Sequence, residues 1–488
     1  MLTKHNKRNR GVILTLNGWD KLQTSITQAK LTENVEDGFT LEELSWRTGL
    51  SLHTVSRIQK RLEPVDKSSL RSAFAAFGLE LCIQDYTKPF ELGETQRGNP
   101  QYDWGEAPDV SIFYGRSTEL VQLRQWVLEE RCRLVALLGI GGIGKSTLAI
   151  KLGLQIQTEF DAVIWRSLQN APAIEDTLTC ILQSLRSALQ KDMVIPESFD
   201  GKISKLMECL ISNRCLLILD NIETILSSGS QVGRYLPDYE GYGQLFKSIG
   251  EISHQSCLLL TSREKPREIT LLEGEKTGVK TLLVKGLNFV EGRSLFWHKG
   301  QFSGTEQQWQ ALIEYYGGNP LVLKMIAATT QELFNGKIAT ILEYLEQGIQ
   351  IFEDIRDLLE PQFNRLSLVE QELIYWMAIN RQPISLINLA SDLFTSTQKH
   401  HLPQAVKSLL QRSLIEKNDE QFFLQPVLME YVKQRLFEQV CKEREPKIQH
   451  IYNHISLFQT HTRIKTTAKD YIQKIYHQTT YQRRCSTN

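Results

Sequence analysis

The residues best suited to chemistry stand between Gly139 and Thr147, where the chain reads Gly-Ile-Gly-Gly-Ile-Gly-Lys-Ser-Thr. The spacing satisfies Gly-x-x-x-x-Gly-Lys-[Ser/Thr], running from Gly139 through Gly144 to Lys145 and Ser146. Glycines at Gly139, Gly141, Gly142 and Gly144 let consecutive backbone N–H groups, that of Ile143 among them, turn inward around phosphate oxygens. A helix N-terminus directly after the loop adds unpaired donors that favour an anion. In that geometry Lys145 reaches the β- and γ-phosphates of a nucleotide. Ser146 holds Mg²⁺, and Thr147 adds a hydroxyl contact to a nearer phosphate. An apolar run over 134–138 before the loop and a helical pattern over 147–157 after it supply the strand, loop and helix order that the chemistry requires.

Two more strand ends carry polar groups of the matching kind. Leu216, Leu217, Ile218 and Leu219 form an all-apolar strand ending in Asp220, at the carboxyl edge where α/β sheets bind ligands. Asp220 there supports the coordination shell of Mg²⁺. Leu258, Leu259 and Leu260 end in Thr261, Ser262 and Arg263, which places a guanidinium to sense the γ-phosphate and to stabilise charge as its bond breaks. The adjacent His400 and His401 do not share a helical face and have no nearby ligand partners, so no further metal site is expected.

The elements that must position these groups are those of an α/β domain. Short apolar runs over 162–165, 215–219, 257–260 and 281–284 alternate with helical patterns, which predicts a parallel sheet covered by helices. Ile174, Leu178, Ile181, Leu182, Leu185 and Leu189 recur at helical spacing and should form the inner face of one of them. The stretch 227–243, rich in Gly, Ser and Tyr, reads as a long loop.

With 488 residues the chain holds more than one core. Lys plus Arg equal Asp plus Glu at 56 each, so any contact with nucleic acid must come from a local basic face. The eight cysteines show no Cys-x-x-Cys spacing and read as buried thiols of a reducing compartment. No apolar run approaches the roughly 18 residues that span a bilayer, and no signal-type segment opens the chain. A cytoplasmic location and no membrane partner are expected.

The first ten residues, with Lys4, Lys7, Arg8 and Arg10, form a basic arm. Leu44, Gly49, Leu50, Val55 and Ile58 then fall at the contact positions of a helix-turn-helix, with Gly49 in the turn and Ser51 capping the second helix. Its exposed side presents His53, Thr54, Arg57, Lys60 and Arg61, which suit DNA, although the same packing also serves protein partners. Residues 91–110 read as a linker.

Taken in order, Phe113-Tyr114-Gly115-Arg116, the phosphate loop, Leu219-Asp220, Thr261-Ser262-Arg263 and Gly318-Asn319-Pro320-Leu321 resemble the motifs of NB-ARC nucleotide switches, in the STAND class of P-loop NTPases. The resemblance implies a nucleotide-binding domain over 111–285, a helical subdomain over 286–355 and a winged helix over 356–440. An all-α helix-turn-helix domain over 1–90 precedes them and a helical, basic tail over 441–488 follows. It implies an ATP/ADP-dependent conformational switch in signal transduction, with Mg²⁺ as cofactor and at most weak ATPase activity. A homo-oligomer in the ATP state, and a DNA or protein partner at the helix-turn-helix, are implied with it. A nucleotide-regulated, DNA-binding transcription regulator is the alternative. By the same resemblance Arg116 lies near base and sugar and Pro320 contacts adenine. Leu424-Gln425-Pro426 aligns with a Met-His-Asp signature whose histidine meets the ADP β-phosphate, so Gln425 stands in the phosphate-contacting position. Asn221 occupies a place where the family often has a second acid. An amide is no general base, so Glu223 is the substitute and hydrolysis is expected to be slow. Bacterial proteins with these features continue into a WD-repeat propeller, and no repeat period is visible after residue 440, so that sensor is expected to be absent.

Overall fold

The computed structural model describes residues 12–14, 16–32, 39–60, 65–82, 85–87, 101–346, 353–380, 382–393 and 401–441. The chain divides into two units, Met1–Arg97 and Gly98–Asn488.

In the first unit, strand β1 (Ile13–Leu14) precedes helices α1 (Leu16–Thr32), α2 (Leu41–Thr48), α3 (Leu52–Lys60) and α4 (Lys67–Ala75), and β2 (Tyr86–Thr87) pairs antiparallel with β1. Thr40 starts α2 with a capping box. Its hydroxyl accepts from the Glu43 N–H at 3.2 Å and its own N–H donates to the Glu43 carboxylate at 2.8 Å. Gly49, with φ of 68°, ends α2 in the left-handed region that side chains disfavour. The Ser51 hydroxyl accepts from the Thr54 N–H at 3.3 Å and so caps α3. Leu44, Val55 and Ile58 are buried, and Ile58 joins a small core with Leu22, Leu70 and Phe74.

The second unit is built on a six-stranded parallel sheet. Its elements are β3 (Tyr102–Asp103), α5 (Ser117–Arg124), β4 (Leu134–Leu138), α6 (Lys145–Ile156), β5 (Ala162–Ser167), α7 (Ile174–Ala188), α8 (Phe199–Ser212), β6 (Cys215–Asp220), α9 (Glu240–Glu251), β7 (Cys257–Ser262), α10 (Arg267–Leu272) and β8 (Val279–Leu283). The order across the sheet is β3-β5-β6-β7-β4-β8. The inner strands β4, β6 and β7 are buried along their whole length and largely apolar because both faces of the sheet are covered. Along β4, Val135 and Leu137 enter one core while Leu134, Ala136 and Leu138 enter the other, the period of two that a strand imposes. Helices α7, α8 and α9 cover the second face, and Ile174, Leu178, Ile181, Leu182 and Leu185 are its buried stripe.

Helices α11 (Phe289–Phe296), α12 (Glu306–Tyr315), α13 (Pro320–Phe334) and α14 (Ile338–Glu346) follow the sheet. Phe296 packs edge-on against Trp309 with centroids 4.9 Å apart, at the centre of this helical region. A last region holds α15 (Glu353–Phe363), α16 (Leu368–Asn380), β9 (Ile384–Ser385), α17 (Leu386–Leu393), α18 (Leu402–Gln411), β10 (Ile415–Asn418), β11 (Gln421–Leu424) and α19 (Pro426–Cys441). Its three strands form an antiparallel sheet of order β10-β11-β9.

Two stretches differ from the sequence reading. Within 91–110, expected as a linker, Tyr102 and Asp103 pair with Val163 and Ile164 as the edge strand of the main sheet. Trp104 lies so close to α6 that a Cβ at Gly153 would stand 2.6 Å from its ring. Two residues are too few to show an alternating pattern, so the Gly- and Pro-rich composition dominates the sequence signal. Within 227–243, the helix α9 begins at Glu240 and Leu226 bridges Tyr235, which leaves a shorter connection than expected.

Among the described residues no helix is long and apolar enough to cross a membrane. The basic arm over residues 1–10, Arg61, His400 and the tail over 442–488 lie outside the described residues, as do the side chains of His53 and Lys60.

Candidate functional site

Parallel pairing brings the carboxyl ends of β4, β7 and β6 to one edge, and the register sets Leu138 beside Ser262 and Leu219 beside Leu260. The phosphate loop leaves β4 at that edge. Its Gly139, Gly142 and Gly144 adopt φ values of 154°, 77° and 95°, a backbone path that only glycine follows without strain. Lys145 opens α6, buried, with its ammonium donating to the carbonyls of Gly139 at 2.9 Å and Ile140 at 3.2 Å. Ser146 and Thr147 follow in the first turn, both half-buried.

At the end of β6, two strands from β4, Asp220 Oδ1 accepts from the Ser146 hydroxyl at 2.7 Å and from the Thr261 hydroxyl of the intervening β7. Burial raises the Asp220 pKa against the pull of these two hydrogen bonds. Burial likewise lowers Lys145, to about 8; Glu223 and Asp220 offset this in part and Arg263 reinforces it. A buried ammonium held below its ordinary range is completed by an anion, and a hydroxyl–carboxylate pair beside it supplies the hard oxygen ligands that Mg²⁺ prefers. The donor set therefore fits a nucleotide phosphate with Mg²⁺.

Glu223 lies on the turn after β6. Its carboxylate pairs with Arg263 Nε at 3.0 Å and accepts the Arg263 N–H at 3.1 Å. This bidentate grip lays the Arg263 guanidinium over the loop, where a Cβ at Gly141 would stand 3.2 Å from Cζ. Asn221, with φ of 64°, turns away from the loop, donating through Nδ2 to Ser167 Oγ at 3.4 Å.

The loop is clasped from three further directions. Arg116, almost fully buried, donates to the Ile143 carbonyl at 2.9 Å and pairs with Glu119 at 2.8 Å. Asn319, which caps α13, donates to the Gly141 carbonyl at 3.0 Å, and the Leu321 N–H donates to the Gly142 carbonyl at 3.3 Å. Pro320 lies 3.9 Å from a Cβ position on Gly144. From α15, Leu358 Cδ1 stands 3.2 Å from a Cβ position on Gly141, and Gln362 Oε1 accepts the Gly141 N–H at 3.4 Å. The other end of the Gln362 amide donates to the Arg412 carbonyl at 3.2 Å. Gln425 is placed differently. It caps α19, and its amide donates to Glu416 at 2.6 Å, so it shares no hydrogen bond with the loop among the described residues.

A buried ionic cluster ties the sheet to the last region. Arg412 Nη1 meets Glu264 Oε1 at 2.6 Å and Arg412 Nη2 donates to the Gly229 carbonyl at 2.6 Å. Arg365 Nε meets the same Glu264 oxygen at 2.7 Å, and Glu370 Oε1 lies 3.7 Å from Arg412 Nε. The Lys265 N–H donates to the Gln411 carbonyl at 2.8 Å beside them. Glu264, Glu370 and Arg412 are each at most 1% exposed. Leu358, Gln362, Glu264 and Arg412 carry no local sequence signature, and only tertiary apposition reveals them.

In the first unit, Thr54 shares a hydrogen bond of 2.9 Å with Ser51, and Arg57 is half-buried.

A family model described as the NB-ARC domain matches residues 116–240. An uncharacterized WD repeat-containing protein of Nostoc is 45% identical over 411 residues, covering 77% of this chain and 32% of the relative. A probable disease resistance protein of Arabidopsis thaliana is 25% identical over 207 residues, covering 39% of this chain and 22% of that protein. The chain thus spans a third or less of the length of these two relatives. Among solved structures, a signal transduction ATPase with numerous domains from Pyrococcus horikoshii, bearing a tetratricopeptide repeat sensor, is 19% identical with a TM-score of 0.34 over 77% of this chain and 55% of its own.

Proposed function

The chain is an NB-ARC domain protein of the P-loop NTPase fold, and we propose that it works as a conformational switch in signal transduction that binds ADP or ATP with Mg²⁺. The reading rests on one observation above all. The phosphate loop is clasped by Asn319 and Leu321 from the helical region and by Leu358 and Gln362 from the last region. Whatever fills the loop therefore acts on how both regions sit.

In this reading the loop amides from Gly139 to Gly144 and the Lys145 ammonium hold the phosphates, and Thr147 adds a hydroxyl. Ser146 and Asp220 hold Mg²⁺, which when bound neutralises charge on the phosphate oxygens. Arg263, aimed by Glu223, answers to the terminal phosphate. Arg116 fixes the Ile143 end of the loop and so shapes it from behind, and Pro320 closes the adenine side. Hydrolysis is slow, since Asn221 is an amide and Glu223 is engaged by Arg263. The last region, with its three-stranded sheet and α18, is the winged helix that moves. The α2–α3 pair of the first unit is a helix-turn-helix contact module. An ATP-state homo-oligomer and a cytoplasmic location belong to the same reading.

The decisive experiment is the nucleotide content of freshly purified protein, released by denaturation and separated by chromatography. Stoichiometric ADP in the wild type and none in Lys145→Ala is expected. Equal ADP in both would remove Lys145 from the site.

A further inference from the structure

A cavity of about 540 Å³ lies in the second unit, away from the phosphate loop. Arg234, Arg267 and Thr270 line it from the loop after β6 and from α10, and Lys407, Ser408 and Gln411 line it from α18. None of its lining residues is acidic. The side chains of Arg234, Arg267 and Lys407 form no ion pair or hydrogen bond among the described residues. Ser408 is 4% exposed, and its Oγ makes no hydrogen bond there either. The contrast with the neighbouring ionic cluster is sharp, because there Arg365 and Arg412 share Glu264.

Three cations converging on one hollow repel one another, and a hollow of this size lined by no counter-charge is balanced by an anion from solution. The charges sit on both walls, so the anion must present more than one charged group. Ser408, in the same wall as Lys407, adds a hydroxyl without a hydrogen-bond partner among the described residues, a donor of the kind phosphate oxygens take. We propose that this cavity binds a small, multiply charged phosphate compound, at a site separate from the phosphate loop. Its walls come from the nucleotide-binding region and from the last region, so the ligand binds only while the two are together and holds them so. That second consequence rests on the switch reading. The binding itself does not.

The test uses the full chain and inorganic tripolyphosphate as probe, with titration calorimetry in the Lys145→Ala background so that the phosphate loop contributes nothing. One-to-one binding is expected to persist there and to weaken at least tenfold on adding Lys407→Glu or Arg234→Glu, both on exposed side chains that leave the core intact. Loss of binding with Lys145→Ala alone, or binding indifferent to both charge reversals, would overturn the site. So would displacement of the probe by a short DNA duplex at equal charge concentration, since the occupant would then be nucleic acid. In wild-type chain carrying a fluorescent ADP, saturating tripolyphosphate should slow nucleotide release several-fold. Unchanged release alongside proven binding would sink the holding role and leave the site standing.

Discussion

Replacing Arg412 by Met tests how the last region is held against the sheet. In the native arrangement Arg412 meets Glu264 at 2.6 Å and Glu370 at 3.7 Å, with no solvent exposure. The cluster is not fully satisfied even so, since Glu264 Oε2, Glu370 Oε1 and Arg412 Nε make no hydrogen bond among the described residues. An intact buried cluster of that kind is worth little net, because desolvation offsets the Coulombic gain. Breaking it is another matter. Methionine is of similar length but leaves Glu264 with Arg365 as its one cation in the cluster and Glu370 with none, at a cost of about 3–5 kcal/mol. The cost falls on the associated form only, since separation hydrates both acids. The lower bound of about 3 kcal/mol moves the ratio of associated to separated forms by roughly two orders of magnitude. Release of a fluorescent ADP should therefore accelerate by a comparable factor, and small-angle scattering should show a larger radius of gyration. Glu264→Gln added to Arg412→Met should recover part of the loss, because one of the stranded charges is gone. Arg365→Met should do less, since that side chain is 26% exposed and its pairing is screened. Release within twofold of wild type with an unchanged radius would refute the assignment of the cluster as the tie.

The Lys145 pKa of about 8 sets a pH dependence. A phosphate raises the ammonium's pKa, so below pH 8 both free and bound forms are protonated and affinity is flat. Above pH 8 binding must take up a proton, and affinity for ADP should fall by up to tenfold per pH unit; a flat profile from pH 8 to 9.5 would contradict it. Gln362→Leu removes the acceptor that the Gly141 N–H now uses. Nucleotide-free protein should lose about 1–2 kcal/mol while the stabilisation conferred by ADP grows, because a phosphate oxygen no longer competes; equal thermal shifts in mutant and wild type would argue against that competition. Asn221→Asp introduces a carboxylate at a left-handed position that Asp tolerates, and steady-state phosphate release should rise. An unchanged rate would mean that the residue after Asp220 does not limit hydrolysis.

The parts legible in the sequence were those whose chemistry is local. Four glycines and a lysine within seven residues can be recognised without neighbours, and an acid closing an all-apolar strand announces its own place at the sheet edge. Gln362 gave no such sign, since a glutamine in an amphipathic helix ordinarily faces solvent and only the apposition of α15 to the loop buries it. Glu264 and Arg412 are separated by 148 positions, and each looks like a surface charge after a strand or a helix. The short β3 was hidden by the opposite problem, a strand with too few residues to show a period. Gln425 stands in the sequence at the place of a signature histidine, and in the structure its amide donates to Glu416, a partner nine positions away that the motif does not announce.

Arg263 and Glu264 are consecutive residues with opposite tasks. The first leans over Gly141, and the second receives Arg365 and Arg412 from the far side of the interface. Adjacent Cα atoms are about 3.8 Å apart, so the distance between reading the phosphate loop and gripping the last region is a single peptide unit. A relay of side chains across the molecule is unnecessary. If a terminal phosphate pulls Arg263 by a fraction of an ångström, the same rigid plane tilts Glu264 out of register with two guanidiniums that tolerate little misalignment. Communication in this molecule is then a matter of leverage over one bond, and its sensitivity is set by how stiffly Glu223 holds the near end.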